Sequence, residues 1–383
     1  VPVYLDHNAT TPLHPQVLEA MMPLLSGPPA NGSSVHRYGR AARGALDRAR
    51  EQVAALIGAE PGEIIFTSGG TESNNLALLG QTAGQTPGRL ALSRIEHESV
   101  LQPSLWLAER GWTIDLIDVD SHGRVTTEHL RATLHADTRL TAVMLANNQT
   151  GVLQDVAALA ELSAERGVPL HCDAAQAAGK IPVDFRALGV QTMTLSAHKL
   201  YGPQGVGALV VDKRVELAPL LRGGGQERGL RSGTHNLAGI VGFGAAAQLA
   251  ADELARREYH LRRLRDALEQ RLSELPSVVV FGQAAARLPS TVQFAVRGFA
   301  GETLLMQLDR EGFAVSSGSA CHSGVNEPSH VLAAMGVPTE LALGAVRVSL
   351  GIDNTDNDVQ CFADALRNVI GRIPAAVALL ADA

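Results

Sequence analysis

Lys199 follows the short apolar run Thr192-Met-Thr-Leu-Ser196 and precedes the Gly/Pro-rich turn Gly202-Pro-Gln-Gly205, after which Val206–Val211 is apolar again. Short apolar runs bounded by turn residues suit strands of a covered sheet. The amine therefore sits where a chain leaves a sheet edge, where it can be desolvated and condense with an aldehyde. Most lysines are solvated surface groups, so the assignment rests on the neighbours that Lys199 keeps. Asp173-Ala-Ala-Gln176 ends the run Val168–Asp173, 26 residues before Lys199, a spacing that fits one crossover and the next strand. A carboxylate ending a buried strand needs a cationic or donor partner. A lysine Schiff base with an aspartate facing a pyridinium nitrogen is the pairing that pyridoxal 5′-phosphate (PLP) requires.

Three further segments fall at strand ends. In Phe66-Thr-Ser-Gly-Gly-Thr-Glu-Ser-Asn74, a strand turns into a helix through two glycines, so the N–H groups of Gly70 and Thr71 form a phosphate seat. No Gly-Lys-Ser/Thr follows, which disfavours a nucleoside triphosphate. His97, in Ser93-Arg-Ile-Glu-His-Glu98, can stack on a planar cofactor or shuttle a proton, although any one of 13 histidines is more often structural. Asn147-Asn-Gln-Thr-Gly151 offers amide donors. Away from these, Val315-Ser-Ser-Gly-Ser-Ala-Cys-His-Ser-Gly324 surrounds Cys321 with small residues, a loop composition that favours an exposed, nucleophilic thiol. Cys172, on a strand, and Cys361, on the last helix, are expected to be buried. Arg347 could clamp a carboxylate or form an ordinary ion pair. Gly223–His235, carrying Thr234, could donate to a phosphate or serve only as a connector; spacing alone leaves both pairs of readings open.

The elements that must position these residues alternate. Helices are predicted over 14–25, 39–57, 71–79, 100–110 and 155–166, with strands at 63–67, 89–93, 113–119, 140–146, 168–173, 192–196 and 206–211. Such alternation specifies a mainly parallel sheet covered on both faces, with ligands at the carboxyl ends of its strands. After about Gly244 the pattern changes: a charged helix over 252–275 leads to a smaller α+β unit with strands at 278–281, 291–296 and 347–350 and a helix from Asp356. A length of 383 residues suits two to three domains.

Composition limits the function classes. The net charge of −7 disfavours an electrostatic grip on nucleic acid or an anionic membrane. No run approaches 18 apolar residues and no leader pattern opens the sequence, so a cytoplasmic location is expected. Three cysteines without Cys-x-x-Cys spacing disfavour a disulfide framework or a closed zinc site, and no metal is expected.

The segments Tyr4-Leu-Asp-His-Asn-Ala-Thr-Thr11, Ser196-Ala-His-Lys-Leu-Tyr-Gly-Pro203, Ser316-Ser-Gly-Ser-Ala-Cys321 and Arg347-Val-Ser-Leu-Gly351 together resemble the NifS/IscS-type cysteine desulfurases, class V aminotransferases of PLP fold type I. Nearly the whole chain shares this resemblance. It implies a mainly parallel seven-stranded sheet in a large PLP-binding domain (15–255), with 1–14 and 256–383 forming a small domain that carries the cysteine loop, about 315–330. It implies that Lys199 holds PLP as a Schiff base and moves protons at the substrate, that Asp173 pairs with the pyridinium and that Gln176 bonds the phenolic oxygen. His97 would stack on the ring, Gly70, Thr71, Ser196 and His198 would hold the phosphate, and Asn148 and Arg347 would grip the substrate carboxylate. Thr234 would reach the phosphate of a neighbouring subunit, which implies a homodimer.

By the same resemblance L-cysteine becomes L-alanine, and Cys321 carries the sulfur as a persulfide to an acceptor such as an iron–sulfur scaffold or a tRNA-thiolation protein. Gln204 stands where many relatives have lysine, and His322 and Gly324-Val-Asn326 vary the loop beyond the nucleophile. The alternatives are a selenocysteine lyase or other PLP lyase, and a catalytically silent PLP-fold scaffold.

Overall fold

The computed structural model describes residues 2–29, 31–317 and 328–372. β1 (Val3–Tyr4) leads to α1 (Pro15–Ser26), whose first turn takes Pro15 and is capped by the His14 side chain, and to α2 (Arg37–Leu56), which buries Leu46, Ala49 and Val53. These lie three or four residues apart, the spacing of one helical face. Alternation then follows: β2 (Ile64–Thr67), α3 (Gly70–Thr82), β3 (Arg89–Ser93), α4 (Glu98–Ala108), β4 (Thr113–Ile117), α5 (Thr127–Thr133), β5 (Thr138–Ala142), α6 (Val156–Glu165), β6 (Leu170–Asp173), α7 (Phe185–Leu188), β7 (Thr192–Ser196) and β8 (Gly207–Val211).

These strands form one seven-stranded sheet in the order β2-β8-β7-β6-β5-β3-β4. Only β8 runs against the others, antiparallel to both neighbours, while the remaining pairs are parallel. Six strands therefore end at the same edge, and β2, β6, β7 and β8 are buried throughout. β5 is shorter than its apolar run suggests. Past Ala142 the chain parts from β3, which ends at Ser93, and keeps to β6 through Val143 N–H to His171 O (3.1 Å) and Leu145 N–H to Asp173 O (2.9 Å).

The charged helix expected from residue 252 starts fifteen residues earlier, as α8 (Leu237–Ser273). Glycine is a poor helix former, so Gly239, Gly242 and Gly244 disguise its first half. Their absent side chains have a packing reason: a Cβ at Gly242 would meet Met21 Sδ at 2.6 Å, and one at Gly244 would meet Ala49 Cα at 2.6 Å. Length and apolarity alone would let this helix cross a membrane. Its Ile240, Phe243, Ala246, Ala247 and Ala250 instead sit in the core around the large sheet, and Leu261, Leu264, Leu268 and Leu272 enter a second core. One helix thus ties two cores together.

The second core is built on β9 (Val278–Val280), β10 (Thr291–Val296), α9 (Gly301–Arg310), β11 (Phe313–Ala314), β12 (Ala345–Ser349) and α12 (Asp356–Arg372), while Val331 and Leu332 of α10 (His330–Ala334) and Ala342 of α11 (Thr339–Leu343) join the first core. β12, β10 and β9 form an antiparallel sheet, and β1 pairs parallel with β11. Leu5 joins this core while Val17 joins the other, so residues 6–14 cross from one unit to the other past the strand ends. Cys172 is buried as expected, but Cys361 is exposed. It falls on the outer face of α12, whose apolar stripe is carried by Val359, Phe362, Ala363 and Leu366.

Candidate active site

The strand ends converge on a cavity of about 230 Å³ lined by Gly70, Thr71, Asn74, His97, Ser99, Met144, Ala146, Asn148, Asp173, Ala175, Gln176, Ser196, His198 and Lys199. Each residue arrives by a local rule. Gly70 and Thr71 open α3 directly after β2, and no side chain caps that terminus, so its N–H groups remain for a ligand. His97 is the N-cap of α4, its Nδ1 accepting from Ser99 N–H at 3.1 Å. Asp173 is the last residue of β6, Gln176 lies in the turn beyond it, and Ser196, His198 and Lys199 follow one another out of β7. Asn148 is in the turn after the extended β5 segment.

Asp173 is held by its own turn, accepting Ala175 N–H at 2.9 Å, and by Asn74 Nδ2 at 2.8 Å. The Asn74 amide also donates to Ser99 Oγ (2.7 Å) and accepts from His171 Nε2 (3.0 Å). An ionised Asp173 requires the amide nitrogen to face it, which leaves the amide oxygen for His171 and fixes that ring as the Nε2–H tautomer. His171 Nδ1 then accepts from Thr192 Oγ (2.9 Å). Burial lowers the His171 pKa to about 4, against the pull of Asp173, so this ring is a neutral spacer. Ser99 Oγ lies 2.8 Å from His97 Nδ1. One amide, Asn74, thereby links Asp173 to His97.

The opposite wall is cationic. Lys199 Nζ donates to the carbonyls of Asn8 (2.6 Å) and Ala9 (2.8 Å), both in the segment that crosses between the two cores. Burial, followed by the Lys199 and Lys180 cations, lowers the His198 pKa to about 4; its Nδ1 lies 3.0 Å from Thr10 Oγ. Beneath His97, the buried Glu96 accepts from Ser93 Oγ and from Met144 N–H (2.7 Å). Burial raises its pKa to about 7.

Two of the sequence-derived residues are not on the cavity wall. Arg347 is buried, its guanidinium donating to Asp6 Oδ1 (2.6 Å) and Asn148 O (2.9 Å), while its Nε has no partner among the described residues. It reaches the site only by holding Asn148. Thr234 is exposed, at the end of a loop that folds back on the large unit. In that loop Glu227 accepts from Arg50 (2.7 and 2.9 Å), Phe66 N–H (2.8 Å) and His235 (2.8 Å), while Arg231 pairs with Glu72. These contacts sustain positive φ at Glu227 (45°) and Arg228 (59°), a conformation costly for residues with a Cβ. Cys321 lies outside the described residues.

Sequence reasoning passed over Asn8, Asn74, Ser99, His171 and Lys180. Signals for three of them were present. His171 is two residues before Asp173, on the same face of a strand, and Asn74 is one helical turn past Gly70. Lys180 is four residues past Gln176.

The residues present fit PLP. Ser196 Oγ and Thr194 Oγ are buried without partners among the described residues, beside the open N-terminus of α3. A Cβ at Gly70 would come within 3.6–3.7 Å of Thr194 and Ser196 and fill that seat. A carboxylate, a stacking imidazole and a primary amine surround the remaining space, the donor set that a pyridinium, its ring face and an aldehyde need.

Residues 3–362 match the family model described as aminotransferase class-V. The chain is 44% identical over 377 residues to "Cysteine desulfurase IscS" of Dictyoglomus turgidum, covering 97% of this chain and 95% of that one. It is 43% identical over 379 residues to the "IscS-like cysteine desulfurase" of Mycobacterium tuberculosis, covering 96% of each. Among solved structures, a "NIFS-like protein" superposes with a TM-score of 0.92 at 36% identity over 97% of this chain and all of that one. "SspA in complex with cysteine" gives 0.82 at 32% identity over 91% of this chain and 98% of that one. With strand ends, cavity and family model in agreement over nearly its full length, this chain belongs to the class-V aminotransferase family and uses that family's cofactor, PLP.

Proposed function

We propose that this chain is a cysteine desulfurase: it converts L-cysteine to L-alanine and transfers the sulfur to Cys321 as a persulfide. One observation supports this above the rest. A single small cavity collects Lys199, Asp173, Gln176, His97 and the Gly70–Ser196 phosphate seat, in a chain more than 40% identical to cysteine desulfurases along its length. When bound, PLP supplies an aldehyde for the amines of Lys199 and substrate, and a ring that accepts the electron pair left at the substrate Cα.

The chain's residues do the rest. Gly70, Thr71, Ser196 and His198 hold the phosphate, Asp173 keeps the ring nitrogen protonated, and His97 covers the ring. Asn148, oriented by Arg347, takes the substrate carboxylate. Lys199, released from the Asn8 and Ala9 carbonyls, holds and moves protons at the substrate carbons. Attack by the Cys321 thiolate on the substrate sulfur forms an S–S bond as the Cβ–S bond breaks, with Cβ keeping the electron pair and gaining a proton. Atoms and charge balance without an external oxidant.

The protein acts in the cytoplasm as a homodimer, with Thr234 completing the partner's phosphate site. It hands sulfur to a protein acceptor for iron–sulfur cluster assembly or tRNA thiolation. The test is L-alanine formation from L-cysteine, with mass spectrometry of alkylated protein. Lys199→Ala abolishes both the visible absorbance of bound PLP and alanine formation, whereas Cys321→Ala keeps the absorbance and loses the protein-bound persulfide. Normal persulfide delivery by Cys321→Ala would refute the nucleophile, and faster turnover of selenocysteine than of cysteine would refute the substrate.

A further inference from the structure

Lys180 is 8% exposed and is not on the cavity wall, yet it is bonded to two groups that serve the cavity. Its Nζ donates to Gln176 Oε1 (2.8 Å) and to Asn8 Oδ1 (3.0 Å). Gln176 Nε2 donates to Asn8 O (2.9 Å), the same carbonyl that accepts from Lys199 Nζ. Lys180, Gln176 and Asn8 thus close a ring of hydrogen bonds on the floor under Lys199. Asn8 is itself pinned from the small unit, its Nδ2 donating to Thr291 Oγ (2.9 Å) and its backbone N–H donating to Ser349 Oγ (2.9 Å).

The local chain is built to bring Lys180 there. After β6 the backbone makes one tight turn, with Ala178 N–H to Ala174 O and Lys180 N–H to Ala177 O, both 3.0 Å. Gln176 and Lys180 therefore stand one turn apart. Gly179 permits the exit, at φ 76° and with Ala250 and Leu200 only 3.1 Å from where a Cβ would be.

A lone buried ammonium is costly, and here it is faced by His7, His198, Lys199 and Arg347. Burial, followed by the Lys199 and Arg347 cations, pushes the Lys180 pKa well below the usual lysine range. Two acceptors, Gln176 Oε1 and Asn8 Oδ1, face its Nζ, and these hydrogen bonds hold it in place.

We propose that Lys180 is a positioning residue for the coenzyme, fixing the Gln176 amide with its oxygen inward so that its N–H₂ faces the phenolic oxygen of PLP. Without that donor the inward Oε1 loses its partner and the amide is held only by its Nε2 bond to Asn8 O, so its N–H₂ is less firmly aimed at the phenolic oxygen. The inference rests on the PLP-site reading above and goes beyond it by assigning a second, buried lysine to the site.

The test is a double-mutant cycle of Lys180→Met, Gln176→Leu and the combined variant on the PLP-loaded protein. It reads the pH midpoint of the bound coenzyme's visible absorbance and the PLP dissociation constant. Loss of an N–H beside the phenolic oxygen makes the coenzyme hold its proton more tightly. Lys180→Met is therefore expected to raise the midpoint by about half a unit or more and to weaken PLP about threefold or more. Gln176→Leu should do the same, and the combined variant should add nothing further. Lys180→Leu, which likewise lacks a donor, is carried in parallel and is read in the same way if the methionine variant does not fold. An unchanged midpoint, or equal effects of Lys180→Met with and without Gln176, overturns the proposal. Absence of coenzyme absorbance in the unaltered protein overturns the PLP-site reading itself, and the proposal with it.

Discussion

Replacing Glu96 with glutamine should stabilise the protein increasingly as pH rises from about 4.5 to about 7. The carboxyl is 1% exposed. Its Oε1 accepts from Ser93 and Met144, while its Oε2 has no partner among the described residues, so the protonated acid suits the site better than the anion. Burial comes first among the causes that raise its pKa from 4.5 to about 7, and Asp173 adds to it. The native state therefore keeps a proton that the unfolded chain releases near 4.5. Stability from this group is complete below pH 4.5 and is lost as pH rises through about 7. A shift of this size corresponds to about 3 kcal/mol. In Glu96→Gln the amide oxygen keeps both hydrogen bonds, the amide nitrogen replaces the protonated oxygen, and nothing ionises. Relative to the unaltered protein, denaturant or thermal midpoints of the variant should rise between pH 5 and pH 8 by an amount equivalent to about 2–3 kcal/mol. A variant-minus-parent difference that stays flat across that range would show that Glu96 is ionised in the fold, and the account of it as a neutral group beneath His97 would fail.

Two further outcomes follow from the same site. His7, His171 and His198 all have pKa values near 4, with burial the first cause for each. The unfolded chain takes up these protons near 6.5 and the native state does not. Stability of the coenzyme-free protein should therefore fall as pH drops from about 6.5 to about 4, by up to about 1.4 kcal/mol per pH unit for each imidazole, and more steeply in Glu96→Gln, where the opposing carboxyl is gone; acid denaturation monitored by circular dichroism reads this slope. Asn74→Ala removes a charge-assisted bond to Asp173 of about 1.5–3 kcal/mol and should weaken PLP about tenfold or more in equilibrium dialysis, whereas unchanged affinity would mean that the Ala175 N–H alone suffices to seat the carboxylate.

The residues that line the cavity were legible because they obey strand-end rules. Asp173, Lys199, Gly70 and His97 each follow an apolar run that announces its own termination, and six strands of one direction carry those ends to one edge. Elements whose pattern is set by tertiary packing were hidden. The first half of α8 reads as a glycine-rich break because Gly242 and Gly244 answer to Met21 and Ala49, residues about 200 positions away. The short strand β11 exists through its pairing with β1, a contact across the whole chain.

The supporting polar residues were hidden for a related reason. Asn74, His171 and Lys180 face inward behind the cavity wall, and their value lies in partners supplied by other elements. An asparagine in a helix, a histidine in a strand and a lysine in a turn announce nothing by type. Only the fold shows that the Asn74 amide spans from Asp173 to Ser99, and that the Lys180 amine spans from Gln176 to Asn8. Both bridges fix a side-chain amide whose two ends are nearly equal in size and opposite in hydrogen-bonding sense. An amide is the group most easily seated backwards, and each is backed here by a residue that only one orientation satisfies. The orientation of the Asn74 and Gln176 amides at the cavity thus depends on His171 and Lys180, which are not on its wall.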